Sequence, residues 1–377
     1  MLPFPETIAR TVFSRPAWPG GMPRRKERRA CLKLLSIAVP SYNVEHTLGD
    51  TLRSLCQPSL LPLLDIIVVD DGSTDGTAAL ANTFAAQYPD SVRVISQQNK
   101  GHGGAVNTGI TAAVGRYFKV VDGDDTLAAD GFARLLDCLH ITQADLVLAH
   151  YEKVPVDDPA HPEPMRFEGV EFGRVYTFAD LPVENGMYFG IHSITIRTDI
   201  LRQHDIRLQE HTFYVDVEYG LLPVPYVHTV AFLDAVVYRY AVGQATQSIA
   251  VDSFVRRYGD HERVVKRMAA FVRETPLDTV RRAYVYSVLR KLCFTQYMIA
   301  AFYDPDLRRG GWRARRFDAW LQKNDRVLYD MMGENAYLRL LRRTRFLFLR
   351  TAFTKALLNR AYRLMKSSFR KKRKFTY

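Results

Sequence analysis

Two short acidic clusters, each directly after a strand-like run, constrain the fold of this chain more than any other feature. Asp70 and Asp71 follow the run 66–69, and a second cluster at 122–125 follows the run 117–121. Short β-branched runs are typical of buried strands, so each cluster is predicted at the carboxyl end of a strand. In an open α/β sheet that edge binds ligands, and buried carboxylates need a cation or hydrogen-bond donors. The pattern therefore favours a metal-bound nucleotide over a packed core.

Strand and helix patterns alternate through the first part of the chain, which indicates a largely parallel, doubly wound sheet. The predicted strands are 34–39, 66–70, 92–95, 117–121, 146–151 and 191–197, followed by 227–233 and 235–240. Predicted helices begin near residues 44, 78, 101 and 129. Residues 213–219 are predicted to open a further helix that stops near Pro223 and Pro225, and the sequence is helical after residue 251.

The composition is typical of a globular protein with a large core. Of the 377 residues, 47% are hydrophobic, and no run of 18 apolar residues occurs, so we expect no membrane-spanning helix. The cysteines, Cys31, Cys56, Cys138 and Cys293, form no CxxC pair. Their spacing excludes a zinc ribbon and disfavours a disulfide framework, which indicates a reducing cytoplasm. The N-terminus lacks the apolar core of a signal peptide.

The charge is divided unevenly along the chain. Residues 1–33 carry 8 Lys and Arg against 2 acidic residues, and residues 331–377 carry 14 against 1. The part between them carries 30 basic and 37 acidic residues, so a mildly acidic body has two basic ends. Basic arms of this kind bind polyanions. We expect a flexible basic arm (1–33), an α/β domain (34–250), a helical region (251–330) and a basic amphipathic C-terminal arm (331–377).

Five landmarks occur in a fixed order along the α/β domain. They are VPSYN at 39–43, VDDGSTD at 69–75, NKGHGG at 99–104 followed by Asn107 and Gly109, DGDD at 122–125, and a DxxY motif at Asp216. This ordered set resembles family 2 inverting glycosyltransferases that use nucleotide sugars, over roughly residues 34–248. The resemblance implies the GT-A fold, an α/β protein with a doubly wound, mixed, mostly parallel sheet, here followed by an α-helical C-terminal region.

The second acidic cluster is the predicted metal site. Transfer from a nucleotide sugar requires a cation on the departing diphosphate, and Mn²⁺ or Mg²⁺ takes carboxylate oxygens as ligands. Asp122 and Asp124 stand two apart in an extended segment and form the natural ligand pair. The resemblance implies Asp124 as the first candidate ligand, Asp122 as a ribose or metal contact, and Asp125 as a further candidate. The alternative is that these acids only cap the following helix.

The resemblance places the nucleotide at the first cluster. It implies that Asp70 or Asp71, with Asp71 preferred, accepts a hydrogen bond from the ring N–H of the base. A plain turn and helix cap over residues 72–77 is compatible with this contact. The residues implied to line the base and ribose pocket are Pro40, Tyr42 and Asn43.

A glycine-rich loop leads into the helix predicted at residue 101. Gly101 permits close backbone approach to a ligand, and a helix N-terminus presents N–H groups to phosphate. The resemblance implies that Asn107 contacts the nucleotide sugar. In the family an arginine often precedes this asparagine, but here Val106 stands in that place. His102 is therefore a candidate substitute at the diphosphate, with a solvated loop histidine as the alternative.

Inversion needs a carboxylate base on the face opposite the leaving group. Family members supply it from a Glu-Asp pair that opens a helix, but Val215 replaces the first member here. We expect Asp216 to be the base, with Glu218 as second candidate and a solvated helix-face acid as the alternative.

Four more positions are weaker candidates. Arg239 and the segment 243–248 resemble the part that closes over the diphosphate, with a structural ion pair as the alternative for Arg239. His192, His211 and His261 are candidate extra metal ligands, and a structural role is the simpler interpretation of each.

The C-terminal arm carries an independent signal. Arginine and lysine side chains fall mostly outside an apolar stripe with helical spacing, and the chain ends in the basic run 370–374. Such a helix lies in a membrane interface on anionic lipid, or else packs on the body. No base-stacking platform is evident, so we expect no nucleic-acid partner. The stripe consists of Leu338, Leu341, Phe348, Leu349, Phe353, Leu357, Ala361, Leu364 and Met365.

Two functional classes follow from these features. The first is a metal-dependent transferase that moves a sugar from a nucleotide donor to a glycan, lipid-linked or cell-wall acceptor at the inner face of the cell membrane. The second is a non-catalytic protein that binds a polyanion or membrane through its basic arms. The complete acidic set favours the first. Nucleotidyl transfer shares the fold style but usually has a different first loop, rich in glycine and basic residues.

Overall fold

The computed structural model describes residues 33–183, 187–243 and 251–346. Three predicted features lie outside the described residues: the N-terminal arm up to residue 32, the segment 244–248, and the C-terminal positions from Phe348 onwards, including the basic run 370–374. Within the described residues, no helix combines the length and the apolar character needed to cross a membrane.

The α/β part alternates strands and helices, as the hydrophobic pattern predicts. In chain order its elements are β1 (Leu35–Ser41), α1 (Leu48–Leu55), β2 (Leu64–Asp70), α2 (Thr77–Gln87), β3 (Val92–Ser96), α3 (Gly101–Ala112), β4 (Tyr117–Val120), β5 (Thr126–Leu127), α4 (Ala129–Ile141), β6 (Leu146–Pro155), β7 (Glu163–Met165), β8 (Val175–Thr177), β9 (Ile194–Arg197), α5 (Thr198–Gln203), α6 (Asp216–Leu221) and β10 (Thr229–Val242).

The rest of the described chain is helical. Its helices are α7 (Val251–Arg256), α8 (Tyr258–Glu274), α9 (Thr279–Met298), α10 (Leu307–Asn324), α11 (Arg326–Gly333) and α12 (Ala336–Arg343). A π-helical turn over Ile299–Tyr303 continues α9. Aspartate or asparagine side chains cap α9, α10, α11 and α12 by accepting from the first-turn N–H groups, which explains why these helices begin where they do.

One mixed sheet forms the centre of the protein, with the main strand order β3-β2-β1-β4-β9-β6-β10-β5. Strands β3, β2, β1 and β4 are parallel, β9 runs antiparallel between β4 and β6, and β6 and β10 are parallel. The register pairs Ser41 with Asp70, so β1 and β2 end at the same edge. The predicted doubly wound, mixed, mostly parallel α/β sheet is confirmed, and its carboxyl edge gathers both acidic clusters.

Helices cover both faces of the sheet. Ile37 and Val68 pack in one hydrophobic cluster with α1, α2 and α4, whereas their neighbours Ala38 and Ile67 pack in the other with α3 and the C-terminal helices. This alternation follows from the two-residue period of a strand. Because the C-terminal helices share a cluster with the sheet, they are part of the same core.

The start of the predicted C-terminal arm packs on the body. Leu338 and Leu341 of α12 are 1% and 0% exposed, and Phe346 is also buried. For this part of the arm the structure therefore agrees with the packed alternative and not with a membrane-facing stripe.

One strand prediction was wrong. Residues 227–233 and 235–240 were expected to form two strands, but residues 229–240 lie in the single 14-residue strand β10. The register of β10 against β6 shifts twice between Leu233 and Tyr238. These irregularities absorb extra residues without ending the strand, so the break in the sequence pattern marks a bulge.

Candidate active site

The first acidic cluster is tied into the loops around it. Asp71 is 2% exposed, and its Oδ1 accepts hydrogen bonds from Gln97 Nε2 (2.6 Å) and the backbone N–H of Lys100 (2.9 Å). Asp70 accepts from the backbone N–H of Ser73 (3.0 Å) and so caps the turn that leads toward α2. Asp70 thus stabilises the turn after β2, whereas Asp71 connects the end of β2 to the start of α3.

The predicted base and ribose pocket lies where β1 ends. Pro40 is buried within β1, and its carbonyl accepts from the backbone N–H of Gly123 (3.2 Å). Tyr42 is 51% exposed. Asn43 has a φ of 52°, and its side chain accepts from the backbone N–H of Thr74 (2.8 Å). The loop after β1 is therefore held against both acidic clusters, with the Tyr42 ring left accessible.

The N-terminus of α3 lies at the second acidic cluster. Gly101 adopts a φ of 76°, and His102 Nε2 lies 2.8 Å from Asp122 Oδ1. Burial favours the neutral ring, yet the Asp122 carboxylate and the charges of Asp216 and Asp124 raise the pKa of His102. For Asp122, burial opposes ionisation but His102 lowers the pKa. The Asp122 carboxylate therefore favours the charged form of His102 at the N-terminus of α3.

Asn107 has a structural role, which differs from the donor contact implied by the resemblance. Its side chain is 7% exposed and exchanges two hydrogen bonds with the backbone of Leu208, at 2.8 and 2.9 Å. The backbone N–H of His211 also donates to the carbonyl of Lys100 (2.7 Å). Residues 207–211, here called the strap, are therefore fastened along α3.

The strap approaches α3 too closely for a side chain at Gly103. A Cβ added there would lie 2.3 Å from the carbonyl oxygen of Gln209. The glycine-rich sequence that suggested a phosphate loop is therefore also required for packing between two backbones. The partner is about a hundred residues away, so no local signal could reveal it.

The acids of the second cluster have different surroundings. Asp125 is 1% exposed and accepts from Tyr238 Oη (2.6 Å) and the backbone N–H of Ala241 (2.7 Å). The hydroxyl of Tyr238 in turn accepts from the backbone N–H of Asp122 (3.1 Å). Burial, followed by the charge of Asp122, raises the pKa of Asp124 to about 6. Burial, followed by the charges of Asp122 and Asp124, also raises the pKa of Asp125.

A histidine joins this cluster from the chain before β9. One possible ligand atom from each of Asp122, Asp125 and His192 lies within 4.8 Å of the others. The set of two carboxylates and one imidazole fits a divalent cation. Burial lowers the pKa of His192 to about 4, so its ring is neutral. Sequence reasoning ranked this histidine no higher than His211 or His261.

The other two candidate histidines have structural contacts. His211 belongs to the strap, and its backbone N–H donates to the carbonyl of Lys100. His261 lies in α8, and its Nδ1 is 2.5 Å from Gln296 Oε1 of α9. Burial lowers the pKa of His261 to about 4.

Helix α6 begins at Asp216, as the sequence predicts. Burial raises the pKa of Asp216, while the positive charge of His102 lowers it and the charge of Asp122 raises it further. The Asp216 carboxylate is therefore close enough to His102 and Asp122 to interact with them electrostatically. A partly desolvated carboxylate next to the second acidic cluster has the character of a general base.

Glu218 is not available as a base, which corrects the second candidate. Its side chain has no exposed surface. Its oxygens accept from the backbone N–H of Gln209 (2.9 Å), from the Gln209 side chain, and from Arg267 Nη1 (2.5 Å). The carboxylate thus holds the strap and α8 against α6, and its two oxygens are closed to an acceptor hydroxyl.

Arg239 makes the contact expected from the structural alternative. Its guanidinium forms an ion pair with Glu152 (2.8 Å). It lines a cavity of about 360 Å³ beside the first turn of α4, and none of residues 122–125 lines that cavity. Of the downstream segment 243–248, only Gly243 lies among the described residues.

The comparison with protein families identifies the α/β part. Residues 36–203 match the family model described as Glycosyl transferase family 2. These residues belong to glycosyltransferase family 2. The match ends before Asp216, so it covers both acidic clusters and His192 but neither the strap nor the predicted base.

Curated relatives agree with this family. The chain is 36% identical over 146 residues to the uncharacterized glycosyltransferase EpsJ of Bacillus subtilis (strain 168), covering 39% of this chain and 41% of the relative. It is also 36% identical over 115 residues to a dolichyl-phosphate beta-glucosyltransferase of Dictyostelium discoideum, covering 28% of this chain and 35% of the relative. The chain thus spans about two fifths of the length of such relatives.

Solved structures support the GT-A fold over most of the chain. S. aureus TarS 1-349 in complex with UDP-GlcNAc has a TM-score of 0.59 and 16% identity, covering 88% of this chain and 92% of that one. The mannosyltransferase PcManGT from Pyrobaculum calidifontis, in complex with GDP-Man and Mn²⁺, has a TM-score of 0.50 and 16% identity, covering 86% of each chain. At these identities the likeness concerns the fold.

Proposed function

We propose that this protein is an inverting, metal-dependent glycosyltransferase. It transfers a sugar from a nucleotide-diphosphate sugar to a hydroxyl group of a glycan, a lipid-linked acceptor or a cell-wall polysaccharide. The observation that carries the proposal is the contact between His102 Nε2 and Asp122 Oδ1 (2.8 Å), with Asp216 and Asp124 close enough to interact electrostatically with His102. A base, a cationic group and a metal-binding acid set are the parts that this transfer requires.

The donor would bind along the ends of β1 and β2. The described hydrogen bonds of Asp71 go to Oδ1, so Oδ2 is the oxygen that would accept from a base N–H. The accessible Tyr42 ring would stack on the base. A uridine donor is favoured because TarS, which has a similar fold, is known in complex with UDP-GlcNAc.

Mn²⁺ or Mg²⁺ would be held by Asp122 together with Asp124 or Asp125. When bound, the cation neutralises the diphosphate as it departs. In its charged form His102, at the N-terminus of α3, would add a second positive charge next to Asp122. The N–H groups of that helix end would also favour an anion.

The transfer is a single displacement at the anomeric carbon. The acceptor oxygen forms a bond to this carbon, the bond to the diphosphate oxygen breaks, and the acceptor proton passes to the Asp216 carboxylate. A raised pKa makes Asp216 a stronger proton acceptor than an exposed aspartate. Since attack and departure occur on opposite faces, the product has inverted configuration.

The C-terminal residues would attach the enzyme to an anionic membrane. Residues 347–377 contain ten Lys and Arg and no acidic residue. Each basic residue near an anionic bilayer contributes on the order of 1 kcal/mol. Attachment at the cytoplasmic face is consistent with Cys56, Cys138 and Cys293, which are free thiols.

The test is a screen of UDP-, GDP- and dTDP-sugars for binding, with and without Mn²⁺, followed by NMR of the product anomer. We expect Mn²⁺-dependent binding of one donor class and an inverted product. Asp216→Asn should keep donor binding but lower turnover by roughly 10²–10⁴-fold. Asp130→Asn, which removes an exposed first-turn acid of α4, is the matched control and should keep full turnover. Absence of donor binding, or full turnover by Asp216→Asn, would contradict the proposal.

A further inference from the structure

We propose that His192 is a ligand of the divalent cation, beside Asp122 and Asp125, and that it makes the site prefer Mn²⁺ and Co²⁺ to Mg²⁺. The inference rests on the metal dependence proposed above and specifies which side chains provide it. It differs from the expectation drawn from the DGDD motif alone, in which every ligand is a carboxylate.

The spacing of the three side chains supports a shared ion. One ligand atom from each of Asp122, Asp125 and His192 falls within 4.8 Å of the other two. The three residues come from two parts of the chain, since His192 precedes β9 and both acids follow β4. Their convergence at one point is a property of the fold, because nothing in their local sequences requires it.

The His192 ring is held in place by aromatic neighbours. It stacks on Tyr240 with ring centroids 4.4 Å apart, and it contacts Tyr151 (5.1 Å) and the edge of Tyr238 (4.9 Å). Among the described residues, no hydrogen bond engages its ring nitrogens. The ring is therefore oriented by packing while a nitrogen lone pair stays available to an ion.

The backbone of His192 is fixed by a buried lysine. Lys119 has no exposed surface, and its ammonium donates to the carbonyl oxygens of His192 (2.8 Å) and Ile194 (3.2 Å). Lys119 lies on β4, the strand that leads to Asp122. The histidine and the acid are thus anchored to one strand, which fixes their separation before any ion binds.

Asp125 is also presented in a fixed orientation. One of its oxygens accepts from Tyr238 Oη and the other from the backbone N–H of Ala241. A carboxylate oxygen has two lone pairs, so each oxygen keeps one for a further contact. Hydrogen bonds of this kind orient metal-binding side chains in proteins.

The ligand set determines which ion is preferred. Mg²⁺ prefers oxygen ligands and keeps several waters, whereas imidazole ligands suit divalent ions of the first transition-metal row, increasingly toward its end. Replacing a carboxylate or water ligand by His192 therefore shifts selectivity from Mg²⁺ toward Mn²⁺ and, more strongly, Co²⁺.

The test measures metal binding to the full-length protein directly. The probes are Mn²⁺, Co²⁺ and Mg²⁺ alone, and each ion with UDP, by titration calorimetry. Pulsed EPR of the Mn²⁺ complex detects a bound ¹⁴N nucleus. The variants are His192→Asn, His102→Asn, because His102 also contacts Asp122 (2.8 Å), and His228→Asn as an exposed control. Thermal melts check that each variant folds.

We expect nitrogen coupling in the wild type and in the His102 and His228 variants, and its loss in His192→Asn. Affinity for Mn²⁺ and Co²⁺ should fall at least about tenfold in His192→Asn, since even an indirect partner of a metal ligand contributes that much. Affinity for Mg²⁺ should change by less than about threefold.

The wild-type spectrum keeps the test decisive even if His192→Asn fails to fold. Mn²⁺ binding without nitrogen coupling would overturn the role of His192 and leave the proposed transferase intact. Loss of coupling in His102→Asn, with retention in His192→Asn, would assign the ligand to His102 and also overturn the inference. Failure of all three ions to bind, with or without UDP, would contradict both this inference and the metal dependence proposed above.

Discussion

Glu218 and Arg267 form an ion pair that ties helix α6 to helix α8, with Arg267 Nη1 2.5 Å from Glu218 Oε2. Arg267 also donates to the carbonyl of Arg207 (2.7 Å), at the start of the strap. Glu218 follows Asp216 by two residues and has no exposed surface. The pair therefore fixes the turn of helix that carries the proposed base.

Arg267→Ala should destabilise the protein by about 1.5–3 kcal/mol, because it removes a charged hydrogen-bond donor from a buried carboxylate. It should lower kcat more than it raises KM for the donor. The reason is that the change displaces Asp216 on α6, whereas the proposed nucleotide contacts at the ends of β1 and β2 are unaffected. Urea denaturation and steady-state kinetics measure the two effects, and Arg267→Lys should recover part of each.

Arg326→Ala is the control for this experiment, because its ion pair with Asp330 is exposed on both sides. Loss of such a pair should cost less than about 1 kcal/mol. An Arg267→Ala protein with unchanged stability and unchanged kcat would show that the ion pair does not position the base.

Asp124→Ala should abolish turnover and the metal-dependent part of donor affinity. Asp124 lies between the proposed ligands Asp122 and Asp125 and is itself a candidate ligand, and a cation is needed to neutralise the diphosphate. EDTA should inactivate the wild type, and added Mn²⁺ should restore activity. Asp50→Ala, an exposed acid on α1, is the control. Activity that is indifferent to EDTA would refute the metal assignment.

Two helical glycines should respond to alanine in opposite directions. A Cβ at Gly131 of α4 would lie 1.8 Å from the carbonyl oxygen of Val236, so the helix must move away from β10. Overpacking of this kind costs about 1–3 kcal/mol. A Cβ at Gly259 of α8 meets nothing within 4 Å, so alanine there should stabilise by about 0.5 kcal/mol. Urea denaturation of both variants tests the contrast, and equal effects would contradict it.

The carboxylate of Asp304 should stabilise the helical region in a pH-dependent way. Burial favours its neutral form, but hydrogen bonds from Arg309 and the charges of Arg309 and Arg313 lower its pKa below the ordinary 3.8. Its contribution is therefore present above pH 3.8 and lost as the pH falls through the lower folded value.

Asp304→Asn should cost about 1–2 kcal/mol at pH 7, and the difference from the wild type should shrink below about pH 4. Urea denaturation at pH 7, 5, 4 and 3 follows this difference. Asp330→Asn, in an exposed ion pair, should show little difference at any pH. A constant deficit of Asp304→Asn down to pH 3 would exclude the ionic contribution.

Removal of residues 347–377 should release the protein from anionic vesicles and spare transfer to a soluble acceptor. The cut follows Phe346 because Leu338, Leu341 and Phe346 are buried in the body. Sedimentation with anionic and neutral vesicles, at low and high salt, measures attachment. The idea fails if the full-length protein does not sediment with anionic vesicles at low salt.

The sequence predicted the features that depend on local pattern. The strands before both acidic clusters, the helix at Gly101 and the helix at Asp216 follow from hydrophobic period and turn residues, and they occur as expected. These features depend on residues that are close together in the chain, which is why a single sequence was sufficient for them.

The features that the sequence did not predict depend on distant partners. Asn107 binds Leu208, and Glu218 binds Arg267 of another helix, so each side chain looks like a free polar group until the fold is known. Arg239 was assigned from motif resemblance, and its ion pair with Glu152 of β6 depends on how two distant strands pair.

The ion pair between α6 and α8 also bears on how the proposed transferase can change over evolution. Without α8, the α/β part would lack the counter-ion of Glu218, and α6, which carries the proposed base, would need another contact to hold it in place. Shuffling of C-terminal regions between relatives is thus constrained to partners that offer a cation at the position of Arg267. Substitutions in α8, which is distant in the chain from the acidic clusters, can therefore change turnover while every proposed substrate contact stays the same.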